Sequence, residues 1–171
     1  DINPEANIAI VTGEVSGIIV FDLDSPEAIE YAEARGGFPE TVKVKSGKGW
    51  HVYAKYPGFE IRSSVNKKLD LDIRADGGYI VAPPSAHGSG HSYEWEEGHS
   101  IFEFDPAPCS PWMLDYLKSI AEGNRPSKTD RKGGQNDPRV EQARSTVDPH
   151  PSYTILLQNG AREGERNDSA T

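Results

Sequence analysis

The sequence predicts an α+β domain in which mixed or antiparallel sheets are flanked by helices. Short apolar and β-branched runs, separated by glycine turns, indicate several strands in the first hundred residues. Residues 41–46 and 50–56 lie on either side of the turn Gly47-Lys48-Gly49, which predicts a β-hairpin. Two further segments are predicted helices, residues 26–35, which have clear end signals, and residues 112–121.

The first third of the chain contains two strand candidates and a helix. Residues 7–12 form a short apolar run, and residues 17–23 (GIIVFDL) are nearly continuous in apolar side chains, which predicts a buried strand. Ser25 suits the N-cap of the helix that follows, and Pro26 suits its first position. The pair Gly36-Gly37 ends that helix.

Another strand is predicted over residues 69–74, where aliphatic and charged side chains alternate (LDLDIR). This period of two places Asp70, Asp72 and Arg74 on one face of the strand. The elements predicted downstream are a strand over residues 79–82, a short edge strand over residues 93–95 and the helix over residues 112–121.

The composition becomes strongly polar after residue 123. We therefore predict a domain over residues 1–123, a polar linker over 124–151 and the start of another element over 152–171. No apolar run reaches the 18 residues expected of a membrane span, and no signal peptide is recognisable. Cys109 is the only cysteine, so we expect no intrachain disulfide and a cytoplasmic location.

Charge is distributed unevenly along the chain, whose formal net charge is -9. Residues 41–80 contain eight Lys or Arg and four Asp or Glu, a net +4, which leaves -13 for the remainder. The overall sign argues against a general nucleic-acid-binding protein. The local basic surface is compatible with a phosphate-bearing ligand, although short basic windows are also common on solvated faces.

Two carboxylates end the predicted buried strand. Side chains at i and i+2 point to the same side of a strand, so Asp22 and Asp24 are expected to share one side of the sheet. Neighbouring like charges repel unless a cation lies between them, and Mg²⁺ or Mn²⁺ prefers such oxygen ligands. The alternative is a strand that runs into an acidic helix start, where Asp24 or Ser25 only caps the helix.

Asp72 is the candidate for a third carboxylate, with Asp70 as its neighbour on the same predicted face. A third acid would complete a two-metal site, in which two ions hold the attacking and leaving oxygens. Asp is disfavoured inside strands, so two of them beside Arg74 favour a function over an ordinary solvent-exposed face.

The predicted hairpin turn, Ser46-Gly47-Lys48-Gly49-Trp50-His51, combines a hydroxyl, an ammonium and an imidazole with two glycines. Glycines allow a ligand to approach the backbone, and these side chains can donate to phosphate oxygens, although the Walker spacing is absent. The alternative is a plain hairpin turn followed by one strand histidine. His87, His91 and His99 lie in loops rather than on a helix, which disfavours a structural zinc site.

Taken in order, these segments resemble the N-terminal catalytic domain of bifunctional DNA primase-polymerases, in the archaeo-eukaryotic primase superfamily. The resemblance covers about residues 7–121 and depends on an ordered set of motifs, because no single motif would suffice. The set comprises NIAIVTG at 7–13, GIIVFDLD at 17–24, SGKGWHVYA at 46–54, LDIRADGGYIVAPPS at 71–85 and YEW at 93–95.

The resemblance implies a role for each candidate residue. The implied catalytic carboxylates, which are also the ligands of two Mg²⁺ or Mn²⁺ ions, are Asp22, Asp24 and Asp72. The implied nucleotide-binding residues are Ser46, Lys48, His51 and Arg74, with His51 holding the triphosphate. The implied fold is the archaeo-eukaryotic primase fold, a mixed sheet with helices that includes a module like the RNA-recognition motif (RRM).

Two departures from the family pattern bear on these expectations. Family members have further residues before the NIAIVTG strand, so part of the N-terminal module is expected to be missing. The second motif usually has a small hydroxyl residue two positions before its histidine, where this chain has Gly49, and Ser46 is the candidate substitute. Residues 163–167 (EGERN) resemble the start of a helical primase C-terminal module, which implies a longer protein, often one with a helicase.

These observations predict an enzyme, a DNA primase or DNA polymerase that joins dNTPs or NTPs on a single-stranded or primed DNA template by a two-metal mechanism. Two alternatives stay open. One is a metal-dependent nuclease that uses the same carboxylates, and the other is a non-catalytic replication or origin-binding module. A plasmid, a virus, another mobile genetic element or a defence locus would each be a compatible setting.

Overall fold

The computed structural model describes residues 6–123. Its elements are β1 (Ile8–Val11), β2 (Ile18–Leu23), α1 (Pro26–Glu33), β3 (Lys43–Lys45), β4 (Trp50–Lys55), β5 (Leu71–Arg74), β6 (Tyr79–Ala82), β7 (Glu94–Trp95) and α2 (Pro111–Gly123). Neither helix in this range is long and apolar enough to cross a membrane. The predicted linker and the element predicted after it lie outside the described residues.

Five strands form one sheet in the order β5-β2-β4-β3-β7, and β1 pairs with β6 in a separate two-stranded ladder. Every pairing between these named strands is antiparallel, and the parallel contacts are isolated bridges such as Ala54–Ala107. The predicted α+β class is therefore confirmed, with sheets of the antiparallel kind. The RRM-like module implied by the resemblance stays a prediction.

Local signals in the sequence explain the first helix and the hairpin. The Ser25 hydroxyl accepts a hydrogen bond from the Ala28 amide at 3.1 Å, and Pro26 occupies the first turn, as predicted for a capped helix start. Strands β3 and β4 pair through the turn at residues 46–49, where the Ser46 amide donates to the Gly49 carbonyl at 2.9 Å. The predicted hairpin is thus confirmed.

One face of the five-stranded sheet is covered by the two helices. Phe21 of β2 packs against an aromatic group there, with ring centroids 5.5 to 6.5 Å away in Phe38, Trp112 and Tyr116. Met113 and Leu117, four residues apart on α2, are fully buried against the same face. Burial of these apolar side chains is the main stabilising contribution on this side.

The opposite face of the sheet is divided into two parts. One part is a second apolar cluster, in which the β1–β6 ladder packs on the sheet through Ile10, Ile18, Val20, Val44, Tyr53 and Ile80. The other part carries the polar side chains at the adjoining ends of the central strands, namely Asp22, His51, Asp72 and Arg74. The candidate site therefore lies on the face that the helices do not cover.

The prediction that Asp70 shares a strand face with Asp72 is wrong. Strand β5 begins at Leu71, and Asp70 is an exposed turn residue with a positive φ of 48°. The Asp70 amide donates to the Asn66 carbonyl at 2.8 Å. The residues that were expected to begin the strand therefore belong to a turn. Aspartate tolerates this left-handed backbone better than most residues.

Candidate active site

Asp22 lies in the middle of a row of polar side chains that crosses three strands. In the pairing of β2 with β5, Asp72 is directly opposite Asp22, and in the pairing with β4, His51 is directly opposite Asp22. Residues directly opposite in antiparallel strands point to the same face. The structure therefore brings two of the three predicted carboxylates and the predicted histidine together.

Arg74 joins the two carboxylates. Its Nε and Nη2 atoms donate to Asp22 Oδ2 at 3.3 and 3.1 Å, and Nη2 also lies 3.1 Å from Asp72 Oδ2. The Asp72 Oδ1 atom accepts a hydrogen bond from the Asn66 amide at 2.9 Å. The Arg74 side chain stays 30% exposed, whereas those of Asp22 and Asp72 are only 8% and 14% exposed. One guanidinium thus neutralises part of a buried pair of negative charges.

Asp22 has more acceptor capacity than its neighbours satisfy. Its Oδ1 atom is buried and has no hydrogen-bond partner within residues 6–123, although His51 Nε2 lies 3.4 Å away. The Tyr53 hydroxyl, also on this face, is equally buried and unpaired within those residues. Burial raises the pKa of Asp22 above its usual range, against the lowering effect of Arg74. Unsatisfied buried polar atoms are rare in folded proteins, and an ordered water, an ion or a catalytic role is the usual explanation for one.

Asp24 follows the last residue of β2 and is more exposed than Asp22. Its amide donates to the Asp70 carbonyl at 2.9 Å, which fixes the backbone where β2 and β5 end. Desolvation and then the negative charge of Asp22 raise the pKa of Asp24. Asp24 is therefore close enough to be influenced by Asp22, but its carboxylate makes none of the hydrogen bonds that join Asp22, Asp72 and Arg74.

His51 is almost completely buried, with 4% of the residue exposed. Burial lowers its pKa to about 4, so the imidazole is neutral at physiological pH. Its ring packs against the ring of Tyr93, with a centroid distance of 5.4 Å. A neutral, sterically held imidazole can donate one hydrogen bond to a ligand while its other nitrogen stays an acceptor.

The hairpin turn borders His51. The Ser46 hydroxyl accepts hydrogen bonds from the amides of Lys48 at 3.3 Å and Gly49 at 2.9 Å, so its own proton remains available to donate. Lys48 is exposed, and its positive charge acts on both Asp22 and Asp24. Lys48 is therefore close enough to influence both carboxylates, and Ser46 lies in the same turn as Lys48.

Gly49 occupies the position where the family pattern has a small hydroxyl residue, and the surrounding backbone leaves no room for a side chain there. A Cβ atom at Gly49 would lie 1.9 Å from the backbone carbonyl oxygen of Leu23, so a side chain could fit only if the two strands shifted. The close approach lets the hairpin pack directly on the end of β2. Ser46 lies in the same turn, and its hydroxyl accepts a hydrogen bond from the Gly49 amide; its role as the substitute hydroxyl stays a prediction.

Sequence reasoning missed three residues around the site. Asn66 positions Asp72 through a backbone amide, which no side-chain pattern can reveal. Tyr93, assigned only to an edge strand, packs on His51. His87, considered only as a zinc ligand, lies against Gly47, where a Cβ atom would be 2.7 Å from its Nδ1. The YEW motif and the histidine-containing loop were visible signals, but their distance in sequence from His51 concealed the contact.

Within residues 6–123, no three His, Cys, Asp or Glu side chains are arranged as they stand to hold one metal ion. The arrangement of the carboxylates accounts for this. Arg74 occupies the space between Asp22 and Asp72, and Asp24 lies outside their hydrogen-bonded group. In this state the carboxylates are paired with a cation of the chain itself.

Residues 2–112 match the family described as bifunctional DNA primase/polymerase, N-terminal. No curated protein and no solved structure matches the chain. The matched segment contains the seven strands and all seven candidate site residues. Because it spans well over half of the 171 residues, the chain belongs to the bifunctional DNA primase/polymerase N-terminal family, a family of nucleotidyltransferase-type enzymes.

Proposed function

We propose that this chain is a DNA primase or DNA polymerase that transfers nucleotides from dNTPs or NTPs to a strand on a DNA template. The observation that carries the proposal is the row Asp72–Asp22–His51, which sets a pair of carboxylates beside an imidazole on one sheet face. Nucleotidyl transfer needs both kinds of group. Carboxylates bind the metal ions, and neutral or cationic donors bind the phosphates of the substrate.

The donor set of the site fits Mg²⁺ or Mn²⁺. These ions prefer oxygen ligands, which Asp22, Asp24 and Asp72 supply, and Asp22 Oδ1 is a buried oxygen with no donor of its own in the described part of the chain. The three carboxylates are the residues that would hold two such ions. When bound, the ions would favour deprotonation of a 3′-hydroxyl and stabilise the leaving pyrophosphate.

The residues on the other side of Asp22 suit the phosphate chain of the nucleotide. His51 can donate one hydrogen bond, Ser46 has a free hydroxyl proton, and Lys48 adds a full positive charge. Donors that are placed before the substrate arrives stabilise developing negative charge without reorganising during the reaction. These three residues therefore orient and neutralise the triphosphate.

Arg74 has a different role in the free and the loaded protein. In the free protein it is the counter-charge of Asp22 and Asp72. A guanidinium binds phosphate oxygens as readily as carboxylates, and the partial exposure of Arg74 lets it turn without leaving a buried cation behind. When metal and nucleotide are bound, Arg74 thus releases the two carboxylates and binds a phosphate of the nucleotide instead.

An open groove at the β5 edge of the sheet, on the side covered by α2, suits the nucleic-acid strand. It is lined by residues 64–68 and by Tyr116, Ser119, Ile120 and Gly123 of α2. Lys67 and Lys68 contribute positive charge to its wall, and Asn66, which binds Asp72 through its amide, connects the groove to the site. Lysines along a groove bind the phosphate backbone independently of sequence.

The proposal is tested by a primer-extension assay with labelled nucleotides and Mg²⁺ or Mn²⁺. Asp72→Asn keeps the size of the side chain but removes its charge, so we expect extension to fall at least about 100-fold, the loss typical of removing one electrostatic contact in an active site. The matched control is Asp115→Asn, an exposed acid on α2 at the opposite face, which should extend at the wild-type rate. Wild-type extension by Asp72→Asn would exclude this site.

The same assay separates the alternative functions. A metal-dependent nuclease using these carboxylates would shorten the labelled strand, and a non-catalytic replication or origin-binding module would bind DNA without need of metal or nucleotide. Lengthening that requires Asp72 is expected only of a primase or polymerase.

A further inference from the structure

The segment of residues 85–93, here called the histidine loop, packs on the hairpin turn of the candidate site. A Cβ atom at Gly47 would lie 2.7 Å from His87 Nδ1 and 2.8 Å from Ser89 Oγ, so the glycine is what lets the two segments meet. The turn they share carries Ser46 and Lys48. Two polar side chains of the loop therefore border the groups proposed to bind phosphate.

A row of rings connects the histidine loop to His51. The Tyr93 ring lies 5.4 Å from the His51 ring and 5.6 Å from the His87 ring, centroid to centroid. Tyr93 therefore contacts both imidazole rings. His51 is the nearer of the two to the carboxylates, since its Nε2 atom is 3.4 Å from Asp22.

The hydrogen bonds of His87 define which of its ring nitrogens carries the proton. The Ser89 amide can only donate, and it donates to His87 Nδ1 at 3.1 Å, so Nδ1 carries no proton. The proton of the neutral ring is then on Nε2, which makes no hydrogen bond within residues 6–123. His87 therefore presents a fixed, unused donor.

The surroundings of this donor favour an anion over a metal ion. His87 Nδ1 and His91 Nδ1 are both engaged by Ser89 Oγ, at 2.6 and 3.1 Å. No carboxylate of the described residues makes a hydrogen bond or ion pair with either histidine, and no third ligand stands in place for a metal. A donor site near a lysine and a serine hydroxyl suits phosphate oxygens.

We propose that the histidine loop is the outer end of the triphosphate site, where His87 donates from Nε2 to the terminal phosphate of the incoming nucleotide. The inference rests on the proposed function. A triphosphate whose reacting phosphate lies at the carboxylates passes His51 first and reaches the histidine loop last. His87 thereby distinguishes nucleoside triphosphates from diphosphates.

The test compares dATP and dADP as ligands of the wild type, His87→Ala and His87→Gln in Mg²⁺. One hydrogen bond to a charged group is worth about tenfold or more in affinity, so His87→Ala should raise KM for dATP at least about tenfold with little change in kcat. The affinity for dADP should stay near the wild-type value. Glutamine places an amide donor near the position of Nε2, so His87→Gln should recover part of the preference.

The control is His99→Ala, since His99 pairs with Glu40 outside the site and should leave both affinities unchanged. Equal losses of dATP and dADP affinity in His87→Ala would overturn the inference, because they indicate that His87 only supports the loop. An unchanged KM for dATP would overturn it too, while extension by the wild type would leave the proposed function intact. A wild type that neither extends primers nor binds dATP would overturn both.

Discussion

The two faces of the five-stranded sheet are built from the same strands, but one face is an apolar core and the other carries the candidate site. On the face covered by helices, β2 contributes Ile19, Phe21 and Leu23, all fully buried in one uninterrupted apolar cluster. On the other face, the same strand changes from Val20 to Asp22 within two residues. Both residues are buried, so the degree of burial does not distinguish the two faces.

The difference is one of electrostatic cost. Burying an apolar side chain stabilises the fold, whereas burying a carboxylate costs free energy unless cations and donors compensate it. Arg74 compensates only one oxygen of Asp22, and the other has no donor within residues 6–123. The helix-covered face thus stabilises the fold. The buried carboxylates on the other face cost folding free energy, and a bound ligand can offset part of that cost.

The largest expected effect on stability is on the helix-covered face. Leu117→Ala removes a fully buried side chain of α2 and leaves a cavity, so the free energy of unfolding should fall by about 2–5 kcal/mol. KM for the nucleotide should not change. Chemical denaturation and extension kinetics measure the two quantities, with the exposed Lys118→Ala as control. A raised KM in Leu117→Ala would show that the faces are not independent.

A slightly smaller effect is expected from the pH dependence of His51. Its pKa falls from 6.5 to about 4 on folding, so the native state disfavours its protonation. Its contribution to stability is therefore complete above pH 6.5 and lost as the pH falls toward 4, a loss of about 3 kcal/mol at most. Denaturation in chelator from pH 7 to 4 should show a smaller decline for His51→Gln than for the wild type.

His99 is the matched control for that experiment, because the hydrogen bond to Glu40 raises the pKa of His99 on folding. The effect of His99 on stability therefore depends on pH in the opposite sense. Its stabilising contribution is present below pH 6.5 and is lost as the pH rises through the raised pKa. The same decline in His51→Gln as in the wild type would contradict the assignment of the pH window to His51.

The smallest expected change is in the stability of Asp22→Asn. Burial raises the pKa of Asp22, so ionisation at neutral pH costs folding free energy, and a neutral isostere removes that cost. Arg74 keeps Asp72 as partner and is partly exposed, so no cation is left buried and unpaired. In chelator the stability should be unchanged or raised by up to about 1 kcal/mol, although extension is lost. A loss above 2 kcal/mol would show that Asp22 stabilises the fold.

Much of the fold is legible in the sequence because its signals are local. The N-cap at Ser25, the glycine turn of the hairpin and the alternation in β5 each depend on neighbouring residues, and the structure contains all three elements. Strand order is not local. Nothing in the sequence of β2 indicates that it pairs with β4 and β5 rather than with β1.

The site was predicted in its members but not in its contacts. Asp22, His51 and Asp72 were identified from residue type and from the resemblance, and the strand registers bring them together. The bridging position of Arg74 depends on side-chain geometry that spacing cannot supply. Asp70 was placed wrongly because the alternation in the sequence begins at Leu69, where the backbone is still in the turn that precedes β5.

The most direct test of the central claim is a crystal structure with Mn²⁺ and dATP, in which anomalous scattering locates the metal. We predict Mn²⁺ at roughly 2 Å from carboxylate oxygens of Asp22, Asp24 and Asp72, with His51 in hydrogen-bond contact with a phosphate and Arg74 released from the acids. Bound dATP with its Mn²⁺ away from these carboxylates, and Arg74 still bridging Asp22 and Asp72, would contradict the account.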